Sequence, residues 1–110
     1  MSQLRLIFCT APAEAASALA EALVGEGAIA CANLVEGAAS IYRWQGEVVR
    51  ERETLMFMET HADALEETLR RIEALHPYEV PKILVFDPSA ANATYEAWVA
   101  EIVAARSEPT

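Results

Sequence analysis

Two cysteines, Cys9 and Cys31, and two histidines, His61 and His76, are the side chains from which soft-metal chemistry would have to be built in this chain. Two such groups close a coordination shell only if a subunit boundary or the ligand itself supplies more. No CxxC pair, HExxH helix, Ser/His/Asp constellation or glycine-rich phosphate loop accompanies them, and the chain has only four glycines. The residues point away from an enzyme. His76 stands in the run LHPYEVPK, residues 75–82. Pro77 and Pro81 fix φ at either end of Tyr78, Glu79 and Val80, which makes a stiff connector holding His76, Tyr78 and Glu79 at set positions. His76 then has two readings: a helix C-terminal side chain that bonds a free carbonyl, or a metal ligand in need of partners. Cys9 reads either as a small buried hydrophobe at a strand end or as a ligand, Cys31 as core and His61 as solvated. Among many carboxylates, Glu79 alone sits where burial is expected to raise its pKa.

The chain must position these groups with 110 residues, 54% of them apolar, which is one domain, residues 1–110, with material for a real core and no need of disulfides. Residues 4–9 are too short an apolar run, without basic flanks or a cleavage site, to be a secretory signal, so a reducing cytoplasm is expected. No apolar run is long enough to cross a bilayer, and no membrane role is expected. Eight basic against seventeen acidic side chains leave a net charge of −9, which repels phosphate backbones and excludes nucleic acid as a natural partner.

Residues 3–9, apolar at almost every position, predict a first strand buried on both faces. A helix follows, capped by Thr10 or Ala11, with Pro12 at its first position, an alanine-rich inner stripe and a stop at Gly25 and Gly27. Residues 29–35 predict a second strand, and Gly37 a bulge before a hairpin whose tip is Gln45 and Gly46. The return arm, residues 47–60, is a charge-alternating wet edge through Arg50, Glu51, Arg52 and Glu53, then buried on both faces around Thr54, Met56 and Met58. A second helix opens with a Thr60/Asp63 capping box, shows its apolar stripe at Leu65, Leu69, Ile72 and Leu75, pairs Glu66 with Arg70 and Glu67 with Arg71, and ends at Pro77. Residues 82–87 are a strand, and a third helix, from Asn92 or Thr94 to Arg106, presents Tyr95, Trp98, Ile102 and Ala105 inward. Residues 107–110 are a frayed tail.

Two strand–helix–strand halves joined by a hairpin are the pattern of an α+β, ferredoxin-like split βαβ sandwich with a long β-hairpin and a C-terminal helix. Helices cover one face of such a sheet and leave the other, also apolar here, open to water. Arms of a dozen residues reach about 40 Å, longer than so small a domain is wide. A homo-oligomer that buries the open faces and pairs the hairpins is the simplest resolution. Tyr42 and Trp44 near the tip are read as anchors in a neighbour's groove, and Trp98 with Tyr95 as cement for the third helix.

CTAP at residues 9–12, ACAN at 30–33, SIYRWQGEV at 40–48, the 53–60 strand, HPYEVP at 76–81 and the Tyr95/Trp98 pair together resemble CutA, the divalent-cation-tolerance proteins. The resemblance spans almost the whole chain in order. It implies a stable cytoplasmic homotrimer, similar in architecture to the PII signalling proteins, with a role in tolerance of copper or another divalent cation and no established enzymatic activity. It further implies metal ligation by Cys9 and His76, although Leu75 stands where the family branch that ligates copper has another histidine. Tyr42, Trp44, Tyr78, Glu79 and Trp98 are then expected at the oligomer interface or its cleft. The chain departs from the family at Glu59 and Lys82, whose charges have traded places, and at Glu47 on the hairpin tip. With Glu59 and Lys82 expected at one end of the sheet, a reversed ion pair is the natural reading. The alternative to a metal-associated trimer is a PII-like regulatory trimer that binds a small molecule or partner protein in clefts between subunits.

Overall fold

The computed structural model describes residues 2–106, and the tail read at 107–110 lies outside the described residues. In chain order the elements are β1 (Leu4–Ala11), α1 (Ala13–Glu26), β2 (Cys31–Trp44), β3 (Glu47–His61), α2 (Leu65–Leu75, entered through a 3-10 turn at Ala62–Ala64), β4 (Ile83–Phe86) and α3 (Ala93–Ala104). The strands form one antiparallel sheet in the order β2-β3-β1-β4. Each strand–helix–strand unit is thus split by a strand of the other, giving an α+β architecture.

Period-two alternation sorts each strand between the two faces. Ile7 opposite Met58 and Cys9 opposite Met56 place those four on the helix-covered face. They are buried there with Ala11 beneath Ala16, Leu19, Ala20 and Leu23 of α1 and Ile72 of α2. The Thr60 and Thr68 hydroxyls both donate to the Ala28 carbonyl, at 2.6 and 3.2 Å, and so seat the α1–β2 turn on α2. The opposite face carries Leu6, Phe8, Val35, Leu55, Phe57, Leu84 and Phe86 by the same register. Phe8 and Phe57 lie with ring centroids 5.1 Å apart, while Val35, Leu84 and Phe86 remain 46 to 51% exposed. α3 closes only one end of the sheet, where Val99 and Val103 cover Leu4, Ala30 and Ala64.

The hairpin forms as its sequence dictates: Gln45 and Gly46 both take positive φ, 49° and 82°, as a two-residue turn with right-twisted strands requires. The bulge falls between Val35 and Ala38, at Gly37. The molecule measures 44 Å along its longest axis.

Several local expectations are corrected. β1 continues to Ala11, which pairs with Thr54, so Pro12 becomes the extended N-cap of α1 and neither Thr10 nor Ala11 caps it. Gly25 lies inside α1, and Gly27 alone ends it, at φ 76°. Thr60 is engaged with Ala28, so the capping box does not form; instead Nδ1 of His61, expected in solvent, accepts the Asp63 N–H at 3.0 Å. Arg71 reaches Glu26 of α1 at 2.7 Å and Glu67 pairs with Arg106, just past α3, at 2.7 Å, so these charges tie α2 to other segments rather than joining its own successive turns. Leu75 is exposed; on α3, Tyr95 and Ile102 pack against the core as expected, but Val99 and Val103 are its buried pair, and Trp98, at 44% exposure, and Ala105 lie outside. Glu59 and Lys82 lie at opposite ends of the sheet: Glu59 pairs with Leu6, whereas Lys82 precedes Ile83, which pairs with Cys9. β3 and β4 run parallel through their crossover, so the exit of one and the start of the other cannot meet within a chain.

Candidate functional site

The bulge and the hairpin register set Ala38 opposite Glu53, Ser40 opposite Glu51, Tyr42 opposite Val49 and Trp44 opposite Glu47. All share the sheet face that carries Leu55 and Phe57. Beside them Pro77 stops α2 and the chain turns through residues 76–82 into β4. Between the hairpin and this segment lies a cleft of about 810 Å³ whose lining includes Tyr42, Trp44, Glu51, Glu53, Tyr78, Glu79 and Lys82. The two walls are joined by one strong bond, from the Tyr78 hydroxyl to Oε2 of Glu53 at 2.7 Å. Burial, and then that bond, push the Tyr78 phenol well above its ordinary pKa; the neighbouring Glu51 carboxylate raises that of Tyr42.

Of the five residues expected at an interface or cleft, four line this space. Glu79 is exposed on it rather than buried. Trp98 stands apart on α3, tilted against Tyr95 with ring centroids 5.7 Å apart. Glu53, expected on a wet edge, is only 7% exposed. Its place in the Leu55/Phe57 alternation was the available signal, hidden by the charges on either side.

Behind the cleft, Cys9 and His76 converge on one atom. The Cys9 thiol donates to the Thr10 carbonyl at 3.7 Å, and Nε2 of His76 lies 2.8 Å from the same oxygen. Nδ1 of His76 accepts the Tyr78 N–H at 3.1 Å, so Nε2 carries the proton and donates it to Thr10. Both ring nitrogens are therefore engaged, and His76 fastens the end of α2 to the end of β1. Burial pushes the Cys9 thiol up to about 11, which keeps it protonated at neutral pH. Among the described residues no three His, Cys, Asp or Glu side chains gather as metal ligands. This pair therefore does not fit a resident metal within one chain. Cys31, expected in the core, is half-buried beside Glu59, with its sulfur 3.9 Å from Oδ1 of Asn33. Glu59 itself accepts from the Tyr95 hydroxyl at 2.9 Å, and burial raises its pKa.

This fold and these motifs recur in known proteins. The divalent-cation tolerance protein CutA of Thermus thermophilus is 42% identical over 97 residues, covering 87% of this chain and 94% of its own. The crystal structure of CutA from Xylella fastidiosa is similar with a TM-score of 0.89 at 32% identity, over 93% of this chain and 99% of that one. The PII-like protein CutA from Nostoc in its apo form gives 0.86 at 33% identity, over 90% and 96%. Residues 5–102, from the second residue of β1 to the last turns of α3, match the family described as CutA1 divalent ion tolerance protein, and to that family the chain belongs.

Proposed function

We propose that the protein is a binding module in divalent-cation tolerance: a cytoplasmic homotrimer of ferredoxin-like subunits, without catalysis, that works as a PII-like regulator through the cleft between its hairpin and the 76–82 segment. The observation that carries this reading is that Tyr42, Trp44, Tyr78 and Glu79, from two segments far apart in sequence, line one cleft. The split crossovers support the ferredoxin-like assignment, and the PII-like relative supports a regulatory use of the fold. Assembly is supported by the open sheet face, because a contiguous apolar surface of this kind is not left in water by a stable monomer. Two free thiols, Cys9 and Cys31, suit a reducing compartment.

A copper site at Cys9 and His76 is the second reading, favoured by the convergence of both groups on the Thr10 carbonyl. It requires the thiol to lose its proton and His76 to release one of its two bonds, with further donors from a neighbour or the ligand. Calorimetric titration with copper(I) in reducing buffer, with mass followed by light scattering, separates the two. The cleft reading expects three chain masses and a copper affinity that changes less than about twofold in Cys9→Ala and His76→Ala. A loss of about tenfold, or 1.4 kcal/mol, in either variant would move the site to Cys9 and His76.

A further inference from the structure

We infer that the ligand of this cleft is a small organic cation, a protonated amine or quaternary ammonium on an apolar body, an assignment that rests on the cleft being the working site. Charge comes first. Glu51, Glu53 and Glu79 face the space against one ammonium, that of Lys82, which lies 5.3 Å over the Phe8 ring. An anion such as a nucleotide would enter this cleft against three carboxylates in a chain of net charge −9.

Glu53 is the more telling group. It is 7% exposed, its partner is the neutral Tyr78 hydroxyl, and among the described residues no Lys, Arg or His makes an ion pair with it. Buried carboxylates are ordinarily paired with a cation, and within one chain Glu53 is held by the neutral Tyr78 hydroxyl alone. A bare metal ion would need several donors closing on one point, and no such group of three is present among the described residues. An organic cation needs less convergence and gains from aromatic faces, whose quadrupoles attract it. Trp44, Tyr42 and Tyr78 supply those faces, and about 810 Å³ is the size of a small-molecule site.

The test uses the full chain and two isosteric probes, choline and the neutral 3,3-dimethyl-1-butanol, with inorganic phosphate as the anion, titrated calorimetrically while light scattering reports mass. Choline is expected to bind at least severalfold more tightly than the alcohol, and phosphate not at all. Trp44→Leu should weaken choline by about 2- to 30-fold, the range of a cation–π contact. Glu53→Gln should weaken choline severalfold and leave the alcohol unchanged; Glu51→Gln, at an exposed position, gives the same signature if the buried substitution unfolds the protein. Equal affinity for choline and the alcohol, preference for phosphate, or no heat with choline overturns the inference. A trimer that fails to discriminate refutes the ligand class alone, whereas a single-chain mass refutes the assembly reading whatever the probes do.

Discussion

His76 illustrates how a residue suited to metal chemistry becomes a structural clasp when its neighbours take both nitrogens. Replacing it with alanine removes a donor to the buried Thr10 carbonyl and an acceptor for the part-buried Tyr78 N–H. His76→Ala is therefore expected to lower unfolding free energy by about 1–3 kcal/mol, read as an earlier urea midpoint. Glu59 makes the opposite kind of prediction. Burial raises its folded pKa above the ordinary 4.5, so the folded state holds its proton longer than the unfolded chain does. Its favourable contribution is complete below the unfolded value and is lost as pH rises through the folded one. Glu59→Gln keeps an acceptor for Tyr95, and its stability relative to the parent should rise across that window. A flat difference with pH would refute this. At this scale the sequence singled out residues that the fold brings together: Tyr42, Trp44, Tyr78 and Glu79 line one cleft, and Cys9 and His76 share the Thr10 carbonyl. It misjudged Glu53, because one charged residue inside a charged run carries no local mark of burial.

Elements were legible where a period or a turn residue set them. The hairpin tip and the bulge followed from Gln45, Gly46 and Gly37, and the end of α2 from Pro77. Where competing partners decided, local rules failed: Thr60 left its capping role for the Ala28 carbonyl, and Arg71 left Glu67 for Glu26. Gly27 joins both kinds of reason. Its φ of 76° is left-handed, and a Cβ there would meet the Arg106 Cα at 2.9 Å, where the end of α3 crosses the end of α1. Gly27→Ala should cost at least about 1–2 kcal/mol for the backbone alone, seen as a lowered thermal midpoint. Gly25→Ala, inside the helix with nothing within 4 Å, should instead leave stability unchanged or raise it by up to about 1 kcal/mol.

For the whole molecule the open sheet face is the dominant fact, since Leu84, Phe86 and Val35 remain exposed on it while Ile7, Cys9, Met56 and Met58 on the other face are fully buried. If assembly buries it, Phe86→Glu places a charge in that contact and should shift the light-scattering mass towards a single chain, with loss of thermal stability. An unchanged mass would show that this face is not the seam. Consecutive residues alone determined the run of strands and helices, the antiparallel hairpin and the existence of a two-sided apolar sheet, because periodicity and turn chemistry are local. Only the tertiary structure decided that Cys9 and His76 share the Thr10 carbonyl, that Glu53 is buried against Tyr78, that Glu59 and Lys82 stand at opposite ends, and which side of α3 faces in. Those outcomes depend on crossovers that bring segments many residues apart into contact. No spacing within a single segment encodes which of several possible partners a side chain will then find.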